Sequence, residues 1–241
     1  MYVIEILNFY SLNSMMINKQ KGFTLLELLI VIAIISVLAV IIVIVLNPAE
    51  TLKKARDSQR ISDLNTVKTA LGLYLSSTTT PYLAADSSNA KCKDTGAITW
   101  ATTDRIFYSI GSDVTTISDT TLDGGTISAP AAQQVTTAAS GGVDSTGWIP
   151  VNLDTLSIGA PISNFPIDPV NTVANGASIT SADLVYRYVC RANNLTFELD
   201  AVLESDQYTV VDNRMAKDGG NNAVYYEVGT NLKILGVGVD F

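Results

Sequence analysis

Lys21-Gly22-Phe23-Thr24-Leu25-Leu26-Glu27, followed by the run LLIVIAIISVLAVIIVIVL from Leu28 to Leu46, decides how this chain is built. The nineteen-residue run carries no charge, and Ser36 is its one polar side chain. As a helix rising ~1.5 Å per residue it covers about 28 Å, close to the ~30 Å hydrocarbon thickness of a bilayer. Its many β-branched residues also suit a buried strand, but strands rarely reach this length, so the run reads as a membrane-crossing helix. A cleaved secretory signal has a shorter apolar stretch and small residues ahead of the cut, and Val45-Leu46-Asn47-Pro48-Ala49 offers no such site. An uncleaved signal anchor fits the hydropathy equally well but leaves Glu27 unexplained. An ionised carboxylate between apolar residues at the edge of a bilayer costs about 2.5 kcal/mol or more, depending on depth, and marks a partner. No basic residue occurs in the two dozen that follow Glu27. The candidates are Lys21, just upstream, or an α-amine created by cutting the chain.

Composition narrows the chemistry. The 241 residues are 47% hydrophobic, enough for a substantial core, and include no histidine. That removes the side chain most used for general acid–base work near neutral pH and the commonest zinc ligand. A Ser-His-Asp triad, a Cys-His pair and a His-liganded metal are excluded. Two cysteines are too few for a four-thiolate zinc site or an iron–sulfur cluster. The expectation is a protein that is not an enzyme. Charge is uneven: residues 47–75 hold five basic and three acidic side chains, whereas residues 76–241 hold eight basic and eighteen acidic ones. A head this acidic is a poor nucleic-acid binder, because phosphate neutralisation by Lys and Arg dominates such binding.

The stretch from Lys21 to Leu28 with its apolar run resembles the cleavage and methylation motif of bacterial type IV pilins and type II secretion pseudopilins. The likeness is a composite of a basic leader, Gly before an aromatic residue, Glu four residues later and a membrane-length helix. It covers about thirty residues, Lys19 to Leu46. It implies that prepilin peptidase cuts between Gly22 and Phe23, that the new amine on Phe23 is N-methylated, and that Glu27 is the assembly glutamate. It also implies a self-polymerising helical filament driven by an inner-membrane platform protein and an assembly ATPase. Physical reasoning adds that Glu27 on one helix can meet the Phe23 cation of an axially displaced neighbour, giving register more surely than net stability. Lys19 and Lys21 keep the N-terminus cytoplasmic and place the head outside the inner membrane. The expected parts are a leader at 1–22, with a true start at Met15 or Met16, a membrane or filament-core helix at 23–46, an amphipathic stalk helix at 47–75 and an external head at 76–241.

Asn47-Pro48 predicts a kink or a helix restart. Beyond it Leu52, Ile61, Leu64, Val67, Leu71 and Tyr74 or Leu75 recur at spacings of three and four, an amphipathic helix whose stripe from Ile61 to Leu75 serves as the spine for the head's sheet. The basic cluster Lys53, Lys54, Arg56 and Arg60 reads as a solvated face, a contact with lipid head groups, or a contact with acidic neighbouring heads. Residues 76–147, rich in Ser, Thr, Ala and Gly, read as exposed loops or edge strands. Leu184–Ala192 and Leu195–Leu203 alternate as strands around Asn193-Asn194, and Ala223–Val228 with Leu232–Val237 suggest a second hairpin around Gly229-Thr230-Asn231. The fold class is therefore α+β: a long N-terminal helix, half membrane and half amphipathic, packed by a C-terminal antiparallel sheet of about four strands with long loops.

Phe165-Pro166-Ile167-Asp168-Pro169 resembles the Pro-Asp-Pro turn ahead of the sheet in major pseudopilins and many pilins. The loop from Asp212 to Asn222 corresponds to one that binds calcium in major pseudopilins, with Asp212 and Asp218 as candidate oxygen ligands; a solvated turn is the alternative. Cys92 and Cys190, an even pair in an exported region, are candidates for a disulfide, with two independent thiols the alternative. Asn194-Leu195-Thr196 matches the short N-glycan acceptor pattern. The functional expectation is a structural subunit of a type IV pilus-like filament, exposed at the cell surface. A secretion pseudopilin in the periplasm and a monomeric signal-anchored protein that binds a surface ligand are the alternatives.

Overall fold

The computed structural model describes residues 22–84, 88–93, 104–110, 118–119, 141–173 and 178–235. The leader up to Lys21, with Lys19 and both candidate start methionines, lies outside them, as does most of the Ser/Thr-rich stretch. The chain divides into two units, Met1–Asn47 and Pro48–Phe241. In the first, helix α1 spans Leu25–Leu46 and closes on Asn47, whose φ of 38° is a left-handed conformation that asparagine tolerates better than most residues. The expected restart occurs at the next residue: helix α2 spans Pro48–Ser77, with the proline where its missing N–H has no intrahelical partner to lose.

The second unit is an α+β body. Strands β1 (Phe107–Tyr108), β4 (Tyr186–Arg191), β5 (Thr196–Ala201) and β6 (Tyr226–Gly229) form an antiparallel sheet in the order β1-β4-β5-β6, and β2 (Ser118–Asp119) pairs in parallel with β3 (Ser178–Ile179). Helix α2 lays Leu64, Val67, Ala70, Leu71 and Tyr74 into one core with Tyr186, Tyr188, Phe197, Leu199 and Ala201 from the near face of the sheet. Each fully buried large side chain contributes about 1.5–3 kcal/mol. Trp148 lies in the same core, and its indole N–H donates to the Pro166 carbonyl at 2.8 Å, which ties the FPIDP turn to it. Leu83 and Ala84 are buried too, although their segment reads as an exposed loop.

Three expectations change on contact with the structure. The β4–β5 loop is four residues long, Ala192 to Leu195, because Arg191 pairs with Thr196. Leu195 takes φ 46° and, with Ala192, packs against the core, so burial rather than turn chemistry sets the loop length. The second hairpin is not formed among the described residues. β6 pairs with β5, and the Ile234 and Leu235 amides donate to the Glu198 carboxylate instead of to a strand. A Cβ at Gly229 would collide with the Phe197 carbonyl, so glycine is what allows this close strand approach.

The third change concerns the stalk stripe. Leu52 is exposed and Ile61 half-exposed, while Asp57 and Arg60 are fully buried in phase with Leu64 and Val67. Arg60 grips Asp168 with two bonds, Nε to Oδ2 at 2.6 Å and Nη2 to Oδ1 at 3.0 Å, and its Nη1 reaches Asp57 at 2.8 Å and Glu204 at 2.7 Å. Arg56 forks onto Glu204 at 2.8 and 3.0 Å. Asp57 also accepts the Ser205 amide and hydroxyl at 2.8 and 2.7 Å, so the helix, the FPIDP turn and the segment after β5 meet in one network. Of the basic cluster, Arg60 is thus internal and Arg56 half-buried against Glu204. Burial opposes the charge on Arg60, but Asp168, Glu204 and Asp57 outweigh it and raise its pKa. Removing one partner from such a network strands buried charge. Arg60→Ala is expected to destabilise the protein by about 3–5 kcal/mol, read as a lowered urea midpoint by tryptophan fluorescence, and an Arg60→Leu/Asp168→Asn pair is expected to lose less than the single variant.

Candidate functional site

The N-terminal edge of α1 gathers the cleavage residues and Glu27. Thr24 is the N-cap: its hydroxyl oxygen accepts the Glu27 amide at 3.2 Å, and Glu27 reaches back, its Oε2 accepting the Thr24 amide at 2.9 Å and the Thr24 hydroxyl at 2.8 Å. This reciprocal capping box satisfies donors that the first helical turn leaves open. The carboxylate also sits at the end of the helix where the backbone dipole favours negative charge. The signal was present as Thr-x-x-Glu directly ahead of an apolar run, and reading Glu27 only as a partner for a cation missed it.

Gly22 and Phe23 precede the cap with no regular structure, and Phe23 is 85% exposed. A Cβ added at Gly22 meets nothing within 4 Å, so no crowding among the described residues demands glycine there. Along α1 itself no residue is buried. Ser36, the one polar side chain after Glu27 in the helix, donates its hydroxyl to the Ala33 carbonyl at 2.8 Å, so it needs no outside partner in an apolar surrounding. The helix is long and apolar enough to cross a membrane.

The structure brings some of the other candidate residues together and separates others. Cys92 and Cys190 form a disulfide at a sequence separation of 98 that ties the segment before β1 to the C-terminal end of β4. Closing a loop of this size stabilises by about 4–5 kcal/mol in the chain-entropy account. Asp212 and Asp218 have separate partners. Asp212 binds Arg214 at 2.6 Å and Lys217 at 2.8 Å, and the Lys217 bond leads in lowering its pKa. Asp218 accepts the amides of Gly220 and Glu227 at 2.9 and 2.8 Å, while burial raises its pKa. Among the described residues no group of three or more His, Cys, Asp or Glu side chains is arranged to hold a metal ion.

Residues 17–43 match the family model described as the prokaryotic N-terminal methylation motif, the signature of type IV pilins and pseudopilins. The chain therefore carries the features of a type IV pilin-like or pseudopilin-like precursor, and its apolar N-terminal helix fits a membrane-anchored one. No curated protein and no solved structure matches the chain.

The capping box has a direct check. Thr24→Val keeps the shape and removes the hydroxyl, a loss of about 1 kcal/mol at a helix start. Amide exchange at Glu27 in the detergent-solubilised chain is expected to quicken about fivefold, with Leu38 unchanged; unchanged exchange at Glu27 would contradict the cap.

Proposed function

We propose that the chain is a structural subunit of a type IV pilus-like filament. It is made as a single-pass inner-membrane precursor with its N-terminus inside. Prepilin peptidase cuts it between Gly22 and Phe23, the Phe23 amine is methylated, and the subunit polymerises through α1 with its head outward. The observation that carries this reading is a 22-residue helix with no buried residue of its own and an acid at its N-terminal end. Such a surface requires burial from outside the chain, first by lipid and then by copies of itself.

Cutting before Phe23 would create a cation within reach of Glu27. In the free subunit the carboxylate is held by Thr24. On docking, an axially displaced neighbour offers its own amine, and in an apolar bundle the paired state is preferred over two isolated charges. A contact between different patches that does not close on itself extends as a helix, so self-association is the activity. The platform protein and ATPase that drive extraction from the membrane are partners that the motif implies. A type II secretion pseudopilus uses the same N-terminal physics.

Two measurements test the reading. N-terminal mass analysis of the mature protein is expected to show a start at Phe23 with one methyl group on the amine; an intact leader would support a monomeric anchor instead. Glu27→Ala is expected to leave membrane insertion intact and to reduce filament yield at least about tenfold, the effect of roughly 1.4 kcal/mol lost per docking step. Normal filament yield from that variant would contradict the proposed role of Glu27.

A further inference from the structure

The face of the sheet turned away from α2 is buried as well, under Ile106, Tyr108, Ile110, Val185, Val189, Ile234 and Leu235, and it carries charge. Alternation along β5 sends Phe197, Leu199 and Ala201 to the α2 core, which leaves Glu198 and Asp200 on the far face. In the β5–β6 register Asp200 lies opposite Glu227 and Glu198 opposite Gly229, so Glu227 is the diagonal neighbour of Glu198 on the same face. Glu198 and Asp200 have no exposure, and Glu227 has 1%.

Of the basic groups on this face, Arg187 and Lys93 have other engagements, while the Nε of Arg191 is buried with no hydrogen-bond partner among the described residues. Arg187, opposite Asp200 on β4, donates Nε to Asp200 at 2.7 Å, holds its second oxygen through Nη2, and lies 3.7 Å over the Tyr225 ring. Buried Lys93 reaches the Ile234 carbonyl at 3.4 Å, and Arg191 lies half-buried at the end of β4. Glu198 Oε2 accepts the Ile234 and Leu235 amides at 2.7 and 3.0 Å, and Glu227 Oε2 accepts the Asn222 amide at 3.0 Å. Asp218 accepts the Glu227 amide. The Oε1 atoms of Glu198 and Glu227 are buried without another hydrogen-bond partner among the described residues, while the two carboxyl groups lie within reach of each other.

Two ionised carboxylates in this position would leave both oxygens unsatisfied and set like charges side by side away from water. One proton removes both penalties. We propose that Glu198 and Glu227 share a single proton through their Oε1 atoms, and that this proton latches the chain on either side of β6 onto the far face of the sheet. The pair grips the stretch before β6 at Asn222 through Glu227 and the stretch after it at Ile234-Leu235 through Glu198.

Burial is the main cause raising both carboxyl groups above their ordinary values; Glu198 raises Glu227 further by hydrogen bond and like charge, whereas the bond with Glu227 lowers Glu198. For an acid raised in the folded state, the extra bound proton contributes stability that is complete at pH below the ordinary carboxylate range. It is lost as pH rises through the raised value. The latch therefore loosens toward alkaline pH.

The test uses the full chain in detergent with a chelator, its thermal midpoint followed between about pH 5.5 and 9. The wild type is expected to lose at least about 3 °C across that interval, and Glu227→Gln, which supplies a permanent donor to Glu198, is expected to flatten the profile and unfold above the wild type at the alkaline end. An equal loss in the variant would overturn the latch, as would an alkaline loss that added calcium restores in the wild type alone. Should Glu227→Gln fail to fold, carboxyl-carbon resonances of the wild type decide. A glutamate still protonated above about pH 6 supports the shared proton, and ordinary titration of both groups below about pH 5 overturns it.

Discussion

An apolar helix with nothing of its own to cover it is the constraint on which the rest of the account depends. No residue of Leu25–Leu46 is buried, and these residues include the longest apolar run in the chain. In water that surface would drive aggregation; in a bilayer it is satisfied, and in a bundle of copies it is satisfied again by packing. Ser36 turning its hydroxyl onto the helix backbone and Asn47 closing the helix at Leu46 both suit a segment with no water along its length. Glu27 is the exception at the N-terminal end. The capping box shows how the carboxylate is accommodated within a single chain, and its position shows why a new amine nearby would matter.

The unit beginning at Pro48 solves a different problem, holding a helix and a sheet together beside long irregular segments. Its apolar core spans α2 and the near face of the sheet. Two devices pin what apolar packing leaves unspecified. The buried Arg60 network joins α2 to the FPIDP turn and to the segment after β5, and the Cys92–Cys190 disulfide anchors the loop-rich region to β4. A bidentate arginine–carboxylate pair is directional where apolar contact is not, so the network fixes the rotation of α2 against the turn as well as its distance. The far face of the sheet adds a third polar device, in which Arg187 neutralises Asp200 and the two glutamates hold the C-terminal segment by its amides.

Much of this was legible in the sequence because it rests on periodicity. The uncharged run, the stripe from Leu64 to Tyr74 and the alternation of Phe197, Leu199 and Ala201 each state which face is apolar, and α1, α2, β4 and β5 follow. Asn47-Pro48 marked the helix break for the same local reason that it occurs. What was not legible rests on charge placed where apolar residues are expected. Asp57 and Arg60 continue the buried phase of α2, yet their type reads as solvent-facing until Asp168, more than a hundred positions away, is brought alongside. Glu198 and Asp200 alternate with apolar residues along β5, and their face is kept from water by contacts distant in sequence, Ile234 and Leu235 among them. Leu232 to Val237 looked like a strand, but the Ile234 and Leu235 amides find a side-chain carboxylate in place of a neighbouring backbone. The Thr24–Glu27 cap was readable, and was obscured by the stronger reading of Glu27 as one half of an ion pair.

The central claim is that Glu27 of one subunit neutralises the Phe23 amine of the next. A density map of isolated filaments at side-chain resolution measures it most directly. The account predicts a Glu27 carboxylate oxygen within about 4 Å of a neighbouring subunit's N-terminal nitrogen at every repeat of the helix. Filaments in which that carboxylate stays on its own Thr24 and lies far from every neighbouring amine would contradict it.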